Sequence, residues 1–541
     1  MNSFKNRYII AILLLTTVFY ACKKQWDDRT EAVDQQLDKT VMQQIQENGN
    51  LSTFAGYLTR LGYDKLLASS RTYTVWAPTN QALQGVDQAT VSDTAKLRVF
   101  VNNHIANQVY LTTAPKPSLR VRTLGGKNLT FTTGMVEEAN ITVANQYVKN
   151  GVVHTIDKAL PPKMNISEFI RSLNGVADLH KNYITRQDTN FIDTSKATIQ
   201  SYDPKTGKPV LVPGTGVVNL NKYFTRVASL ANEDSTYTYF VLTDAALNTE
   251  LDKVVKYFAT VTNSTDTTRN MLASFNILKD VAVRGAIAEA NLPATGLMSV
   301  NNVPIPVNKA AIVQRYSASN GMVYVIGSMP FALADKITPI VIQGENPSFF
   351  ARTDANSFTF YRSRRDLQGQ VFRDILLGTN ANFPANFFAA YKLNNLYTCQ
   401  YKIVVRASND VFTTATDIVE SFNFGQTTAA VLGANGTITP NAVVNFPAQR
   451  MGPVSLTKYE EIPLPTPANR SATSTLTPPT NIAGGNPTTT ATAANTITLT
   501  SGNLNVLKRT SVNMYVVGAN ATGANNNNIT FDYVKLIPIL Q

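Results

Sequence analysis

The fold is decided by residues 73–83, YTVWAPTNQAL, together with residues 150–162, NGVVHTIDKALPP. In the first stretch, apolar and β-branched residues run up to a proline, which predicts a strand, a turn and then a new helix. In the second, an Asn-Gly turn leads into β-branched residues that two prolines terminate, which predicts another strand. The two stretches therefore indicate a mixed α/β unit.

A helical segment precedes these strands. Its apolar residues recur at helical spacing and are Met42, Ile45, Leu51, Phe54, Leu58 and Leu61. Ser52 stands where its hydroxyl is expected to cap the helix that carries Phe54. We therefore predict that helices pack against the strands of this unit.

The two stretches resemble the paired signature motifs of fasciclin domains, in the family's order and spacing. The resemblance covers residues 38–163 and implies a twisted β-wedge with several small helices packed against it. It also implies a role in adhesion without catalysis. Some animal members use a Tyr-His pair in integrin binding, but here Asn103 precedes His104, so that recognition is not carried over. We interpret His104 and His154 as packed, hydrogen-bonded structural side chains.

Both motifs recur later in the chain. Residues 236–247, TYTYFVLTDAAL, repeat the first motif, and residues 320–326, NGMVYVI, repeat the second with Tyr324 in the place of His154. A helix is predicted to open at Ile166. Residues 164–335 thus resemble a second, divergent fasciclin-like domain, in which residues 188–219 are expected to be an inserted loop.

Residues 345–541 have a different pattern, with short period-2 runs between Asn, Gly, Thr and Pro clusters. This predicts an antiparallel β-sandwich, interrupted by a Thr/Pro-rich stretch at residues 464–500. The closing run from Phe531 to Pro538 resembles the last strand of jelly-roll carbohydrate-binding modules. Cys399 alternates with Tyr397, Tyr401 and Ile403, so we interpret it as a buried structural thiol.

The first residues predict export. Lys5 and Arg7 precede an apolar run at residues 8–21, too short to span a bilayer but typical of a signal peptide. Ala21-Cys22 resembles a bacterial lipobox of the Bacteroidota type. The resemblance implies cleavage after residue 21, acyl chains on Cys22 as the lipid anchor, and a tether at residues 22–37. Acids in this tether look like a signal for the outer face of the outer membrane.

The charge of +12 does not indicate a nucleic-acid partner, because basic residues are scattered. Their one dense group is Arg362, Arg364 and Arg365, which suits at most mild affinity for acidic surfaces. Three histidines cannot form a His-rich metal site, and zinc-protease, nucleophile-elbow and phosphate-loop motifs do not occur. We therefore predict no catalytic residue, cofactor or metal site.

Two functions fit this sequence. The first is a cell-surface adhesion lipoprotein whose fasciclin-like domains contact another surface protein or matrix. The second is a surface glycan-binding lipoprotein, accessory to a SusCD-like outer-membrane uptake complex, whose sandwich stacks aromatic side chains on a polysaccharide. Because most of the 22 tyrosines and 25 phenylalanines must be in cores, the sequence identifies no ligand-binding residue.

Overall fold

A computed structural model describes most of the chain from residue 38 onward. The described residues are 38–114, 117–259, 266–351, 354–365, 369–378, 387–406, 418–426, 431–432, 438–439, 442–445, 449–451, 461–464, 497–500, 503–506, 509, 511–518 and 528–541. The predicted signal peptide, Cys22 and the tether lie outside these residues, as does most of the Thr/Pro-rich stretch.

The first α/β unit (residues 38–163) is a seven-stranded sheet with helices against it. The helices are Val41–Gln46 (α1), Ser52–Arg60 (α2), Tyr63–Leu67 (α3), Gln88–Ser92 (α4) and Thr94–Asn102 (α5). The strands are Tyr73–Pro78 (β1), Ile105–Ala106 (β2), Leu119–Arg122 (β3), Asn128–Phe131 (β4), Met135–Val136 (β5), Ala139–Val148 (β6) and Gly151–Ile156 (β7). The strand order β2-β1-β7-β6-β5-β4-β3 makes β1 and β7, the two quoted stretches, parallel neighbours.

The helix cap differs from the sequence prediction. Ser52 is the first residue of α2 rather than its cap, and the residue before it makes no side-chain cap hydrogen bond. Instead, Asn80 Oδ1, from the turn after β1, accepts from the Thr53 N–H at 2.9 Å. Asn80 Nδ2 donates to Ser52 Oγ at 3.0 Å. The prediction was wrong because the cap comes from a residue distant in sequence, and the helix expected just after Pro78 begins only at Gln88.

The second α/β unit (residues 164–335) has the same plan with a smaller sheet. Its helices are Ile166–Ser172 (α6), Asp178–Thr185 (α7), Lys222–Arg226 (α8), Asp244–Val254 (α9) and Asp266–Leu278 (α10), and Leu333–Lys336 (α11) closes it. Its strands are Asp188–Ile192 (β8), Ile199–Tyr202 (β9), Pro209–Leu211 (β10), Val217–Asn221 (β11), Tyr237–Leu242 (β12), Ala282–Arg284 (β13), Leu297–Met298 (β14), Pro304–Ile305 (β15), Ile312–Ala318 (β16) and Gly321–Ile326 (β17). The sheet order is β13-β12-β17-β16, with β12 and β17 parallel.

The parallel pair has the same glycine geometry in both units. Gly151 has φ +152°, and a Cβ there would lie 2.0 Å from the Tyr73 carbonyl oxygen. Gly321 has φ +150°, and a Cβ there would lie 1.8 Å from the Tyr237 carbonyl oxygen. Only glycine allows this approach of two backbones, so both Asn-Gly turns bring a buried strand against its partner.

The predicted correspondence of Tyr324 with His154 is also visible in the hydrogen bonds. His154 Nε2 donates to the Tyr110 carbonyl at 2.8 Å. Tyr324 Oη donates to the Ile287 carbonyl at 2.8 Å. Each side chain fastens the loop after an edge strand to the central parallel pair, so the two units share interior contacts as well as strand order.

Residues 188–219, expected to be a loop, are instead strands of one long hairpin. The ladder of β8 with β11 forms its base, and the ladder of β9 with β10 forms its outer part. The sequence is rich in turn formers, but these residues concentrate at the irregular joint and tip of the hairpin, between short strands that contain both apolar and polar residues. We call residues 188–221 the hairpin arm.

Beyond the second unit, antiparallel sheets share one hydrophobic core. Their strands are Ile340–Gln343 (β18), Phe349–Phe350 (β19), Thr359–Arg365 (β20), Val371–Leu377 (β21), Phe388–Leu393 (β22), Gln400–Arg406 (β23), Ile418–Gln426 (β24), Val431–Leu432 (β25), Ile438–Thr439 (β26), Ala442–Asn445 (β27), Gln449–Met451 (β28), Glu461–Leu464 (β29), Ile497–Thr500 (β30), Asn503–Val506 (β31), Val512–Gly518 (β32), Ile529–Phe531 (β33) and Tyr533–Ile539 (β34). One main sheet runs β18-β34-β23-β31-β30 and the other β19-β22-β32-β24-β27. The closing run divides at Asp532 into β33 and β34, which join different sheets.

Candidate functional site

Arg120 on β3 joins the two α/β units. Its guanidinium donates to Thr236 Oγ1 at 2.6 Å, to the Glu233 carbonyl at 2.7 Å and to the Ser319 carbonyl at 3.1 Å. Because these acceptors belong to separate segments of the second unit, one side chain fixes both its position and its orientation. The guanidinium fork suits this task since its donors lie in a rigid plane.

A second group of contacts lies beside Arg120. Lys127 Nζ lies 2.6 Å from Glu168 Oε2 and 3.1 Å from Glu233 Oε1. Asn128 Nδ2 donates to Glu233 Oε2 at 3.1 Å, and Ser319 Oγ donates to Glu233 Oε1 at 2.7 Å. Glu233 is buried, so its charge is compensated across the junction rather than by water. Sequence analysis missed these residues because no local pattern marks a contact between segments so far apart.

The first candidate histidine, His104, is used entirely in packing. It is fully buried; Nδ1 donates to the Phe100 carbonyl at 2.9 Å and Nε2 accepts from the Leu160 N–H at 2.9 Å. Burial lowers the pKa of His104 to about 4, so the ring is neutral at pH 7. This agrees with the predicted structural role.

The other two histidines are also committed to structural bonds. Burial lowers the pKa of His154, whose Nδ1 accepts from the Asn145 N–H at 3.2 Å. Burial lowers the pKa of His180 to about 3, and its Nε2 donates to Tyr239 Oη at 2.9 Å. All three rings are therefore neutral and hydrogen-bonded inside the α/β units. In the part of the chain that the structure describes, no group of three or more His, Cys, Asp or Glu side chains is placed to hold a metal ion.

Cys399 lies where the second unit meets the sheets. It precedes β23 instead of lying within it, is half-buried, and packs against both hydrophobic cores. Burial raises the pKa of its thiol to about 11, which disfavours the reactive thiolate. The structure thus supports a packing role, although the thiol is less buried than predicted.

A buried ion pair stands near the same junction. Lys336 Nζ lies 2.6 Å from Asp280 Oδ2 and 3.7 Å from the centre of the Phe331 ring. Burial lowers the pKa of Lys336 to about 8. Asp280 also accepts from Asn301 Nδ2 at 3.0 Å. The ion pair holds α11 against the segment after α10, so we assign these two buried charges a structural role.

The first unit carries an open groove of about 700 Å³ between α4, α5 and the proline-rich segment after β7. Its lining is mainly apolar or small and consists of Ala82, Gly85, Val86, Asp87, Thr90, Ala95, Lys96, Val99, Phe100, Ala159, Pro161 and Pro162. Val99 is 52% exposed on this surface. Such a lining can take up apolar side chains but offers few hydrogen bonds to a hydroxyl-rich ligand.

The sheets at the C-terminal end show a different surface. Among their described residues, the large aromatic side chains that are well exposed are Phe360 and Tyr361. As successive residues of β20 they point to opposite faces, so they do not form a flat stacking row. The predicted basic group is partly engaged, since Arg362 makes two hydrogen bonds to the buried Asp374 carboxylate at 2.9 and 2.6 Å.

Comparison with protein families shows that residues 49–162 match the family model of the fasciclin domain. A fasciclin domain is therefore present, and the predicted resemblance of the first unit is confirmed over these residues. The match does not extend to the rest of the chain. A search of curated proteins found no match. No helix of the described residues is both long enough and apolar enough to cross a bilayer.

Comparison with solved structures finds weak similarities over wider parts of the chain. A fasciclin domain pair from the insect cell adhesion molecule Fasciclin I is 17% identical, over 54% of this chain and 100% of that chain, with a TM-score of 0.21. A family 35 carbohydrate-binding module from Clostridium thermocellum is 10% identical, over 37% and 99%, with a TM-score of 0.19. The C-terminal CBM6 of LamC from Zobellia galactanivorans is 6% identical, over 37% and 99%, with a TM-score of 0.16. Because all these TM-scores lie below 0.5, they carry no argument about a ligand of this chain.

Proposed function

We propose that this chain is a non-catalytic adhesion lipoprotein, held at the outer membrane by acyl chains on Cys22 and facing the cell exterior. In this proposal its folded units contact another surface protein or a matrix protein. The fasciclin domain at residues 49–162 is the observation that carries the proposal, since the resemblance to that family implies contact without catalysis.

The junction between the α/β units supports a contact role. Units held in a fixed orientation bind a partner more tightly, because less conformational freedom is lost when contact is made. Arg120 and Lys127 reach acceptors on several segments of the second unit, including the buried Glu233. The first unit is thereby presented in a fixed orientation.

The surfaces of the residues that the structure describes favour a protein partner over a glycan. The groove beside Val99 is largely apolar, which suits apolar side chains of a partner protein. The exposed Phe360 and Tyr361 lie on opposite faces of one strand and do not offer a platform for sugar rings. Glycan capture beside an uptake transporter stays a hypothesis for the same experiments to test.

The anchor and the orientation are tested on whole cells. We expect mass spectrometry of the mature protein to find an N-terminal peptide that begins at an acylated Cys22, and added protease to digest the protein on intact cells. The Cys22→Ser chain should lose the acyl mass. An unmodified N-terminus at another residue would contradict the anchor, and full protection from protease would contradict the outward orientation.

Adhesion is tested by attachment of producing cells to surfaces coated with proteins from the same cells or their matrix. We expect Val99→Asp to reduce attachment, and Val313→Asp to leave it unchanged because that valine, 61% exposed, lies on β16 away from the groove. Equal attachment with and without the protein would reject adhesion. Retardation of the purified chain in gels containing polysaccharide would support the glycan hypothesis instead.

A further inference from the structure

The last residues of the central strands place the two α/β units in register. The Thr79 N–H donates to the Ile156 carbonyl at 3.1 Å, and the Thr243 N–H donates to the Ile326 carbonyl at 3.0 Å. Each threonine hydroxyl also accepts from an N–H one turn farther along the chain, at 3.2 and 3.3 Å. Thr79 and Thr243 therefore hold equivalent positions just after the first strand of their units.

The neighbouring edge strands give a second reference. The Trp76 N–H donates to the His104 carbonyl at 3.0 Å, and the Phe240 N–H donates to the Val281 carbonyl at 3.0 Å. His104 and Val281 are therefore equivalent, and so are α5 and α10, the helices that end just before them. Together the two references assign counterparts in the second unit to side chains that line the groove of the first.

Two valines of the groove have polar counterparts. Counted forward from the threonines, Val86 corresponds to Glu250, and counted back from the edge-strand carbonyls, Val99 corresponds to Asn276. Both valines line the open groove, and Val99 is 52% exposed. Glu250 and Asn276 are buried. The same place is therefore open in the first unit and covered in the second.

The cover in the second unit is residues 329–337, which we call the filling segment. Glu250 Oε2 accepts from the Phe331 N–H at 3.3 Å, and Asn276 Nδ2 donates to the Lys336 carbonyl at 3.0 Å. An extended residue precedes the single turn of α11 within this segment. The buried apolar side chains of the segment are Met329, Phe331 and Ile337.

The chain takes another course after the first unit. Beyond Pro162, the Met164 N–H donates to Tyr316 Oη of the second unit at 2.8 Å, and α6 begins at Ile166. These residues cross to the second unit instead of returning over α4 and α5. The described residues that follow β7 therefore leave the groove without the cover that its counterpart has.

We propose that the groove binds a segment of a partner protein that has the form of the filling segment, with bulky apolar residues in an extended stretch followed by one helical turn. The second unit supports this form, because there a chain of the same kind packs across the corresponding helices and joins the hydrophobic core. The inference rests on the adhesive function proposed above and specifies which kind of segment the partner offers.

The charges differ between the two places, and this difference constrains the partner's sequence. In the second unit Lys336 Nζ lies 2.6 Å from Asp280 Oδ2. The counterpart of Asp280 is Asn103, which is buried and uncharged. Asp87 lines the groove, but it is exposed and its Oδ1 accepts from the Ala89 N–H at 3.0 Å. We therefore expect the partner to carry an apolar residue in the place of Lys336, because a lysine buried there would face an amide instead of a carboxylate.

Fluorescence anisotropy measures the binding of labelled peptides to the chain produced without residues 1–22. The probe is a synthetic peptide of residues 328–338 with Lys336→Leu, and the comparison peptides are the same segment with its native lysine and a scrambled form of the probe. We expect saturable binding of the probe, binding of the lysine peptide that is at least about tenfold weaker, and no binding of the scrambled peptide.

Variants of the chain place the probe in the groove. Val99→Asp should weaken probe binding at least about tenfold, because the introduced carboxylate would be buried by the bound peptide. Val313→Asp, which changes an exposed valine outside the groove, should bind the probe like the parent chain. Hydrogen exchange should show protection of residues 82–100 only when the probe is bound. Unchanged circular dichroism of both variants would show that they fold.

The outcomes separate this inference from the adhesive function. No saturation with the probe up to about 1 mM, equal binding of either comparison peptide, or full binding by the Val99→Asp chain would each overturn the proposed ligand. If cells lose attachment with Val99→Asp while the probe fails to bind, adhesion stands and this form of ligand is rejected. If the probe binds but producing cells do not attach, adhesion is rejected and the ligand of the groove stands.

Discussion

Asn150 and Asn320 make equivalent hydrogen bonds in the two α/β units. Asn150 Oδ1 accepts from the N–H of Val41, the first residue of α1, at 2.8 Å. Asn320 Oδ1 accepts from the N–H of Ile166, the first residue of α6, at 2.9 Å. Each side-chain amide also donates to two carbonyls of its own unit. One asparagine per unit therefore fastens the first helix to the turn that leads into the central strand.

Replacing either asparagine by alanine should destabilise its own unit by about 1–3 kcal/mol, because buried backbone groups lose their partner. Chemical unfolding measures this change. The buried Trp76 reports on the first unit, so Asn150→Ala should shift the fluorescence transition, and Asn320→Ala should shift a transition seen by circular dichroism. Asn182→Ala, at an exposed helical position, is the matched control. A shift no larger than that of the control would contradict the shared role.

Gly151 offers a sharper test of the parallel strand pair. Gly151→Ala places a Cβ against the Tyr73 carbonyl, where neither backbone can move without breaking the sheet. We expect a loss of more than about 3 kcal/mol or failure to fold, since positive φ and steric overlap add. Gly56→Ala, in α2 with open space around it, should instead stabilise by roughly 0.5–1 kcal/mol. Equal effects of the two changes would refute the close approach.

We predict that the free energy of unfolding falls in mild acid, because the buried histidines are neutral in the folded protein. The pKa of His104 is about 4 in the folded unit, against an ordinary value of 6.5 when unfolded. The unfolded chain therefore binds the proton first, and stability that is complete above pH 6.5 falls as pH drops toward 4. For His104 alone the loss is roughly 3 kcal/mol. Unfolding at a series of pH values measures it.

Nuclear magnetic resonance of the imidazoles separates this cause from the protonation of carboxylates. We expect the rings of His104 and His180 to stay neutral through pH 6, because burial lowers both pKa values. An imidazole signal that titrates near pH 6.5 in the folded protein would contradict the assignment. His154, whose pKa is also lowered by burial, is measured beside them and should likewise titrate below its ordinary range.

The sequence predicted what depends on local pattern. The strands at Tyr73 and Gly151, the helix at Ile166 and the repeat of both motifs were visible because side-chain period and turn residues are local signals. The cap on α2 was assigned to Ser52 because a nearby hydroxyl is the usual solution, whereas Asn80 arrives there only after the chain folds.

The hairpin arm and the inter-unit junction were not predictable for different reasons. The strands of the arm have only three to five residues each. Because turn-forming residues are frequent between them, the composition of the segment indicated a loop. At the junction, Arg120 finds acceptors more than a hundred residues away in sequence, and a single arginine on an alternating strand gives no sign of this. The anchor at Cys22 stays a prediction, since it lies outside the described residues.

Arg120 also provides the test of rigid coupling between the units. Arg120→Ala removes the hydrogen bonds to Thr236, Glu233 and Ser319 and leaves their acceptors at the junction without that partner. Each unit keeps its own core, so we expect the unfolding transitions of the two units to move apart and small-angle scattering to show a wider range of inter-unit orientations. Arg98→Ala, which changes a helical arginine that lies over Tyr63 within the first unit, should leave scattering unchanged. If both variants scatter like the parent chain, the units are held together by something other than this guanidinium, and the fixed orientation invoked in the adhesion proposal loses its support.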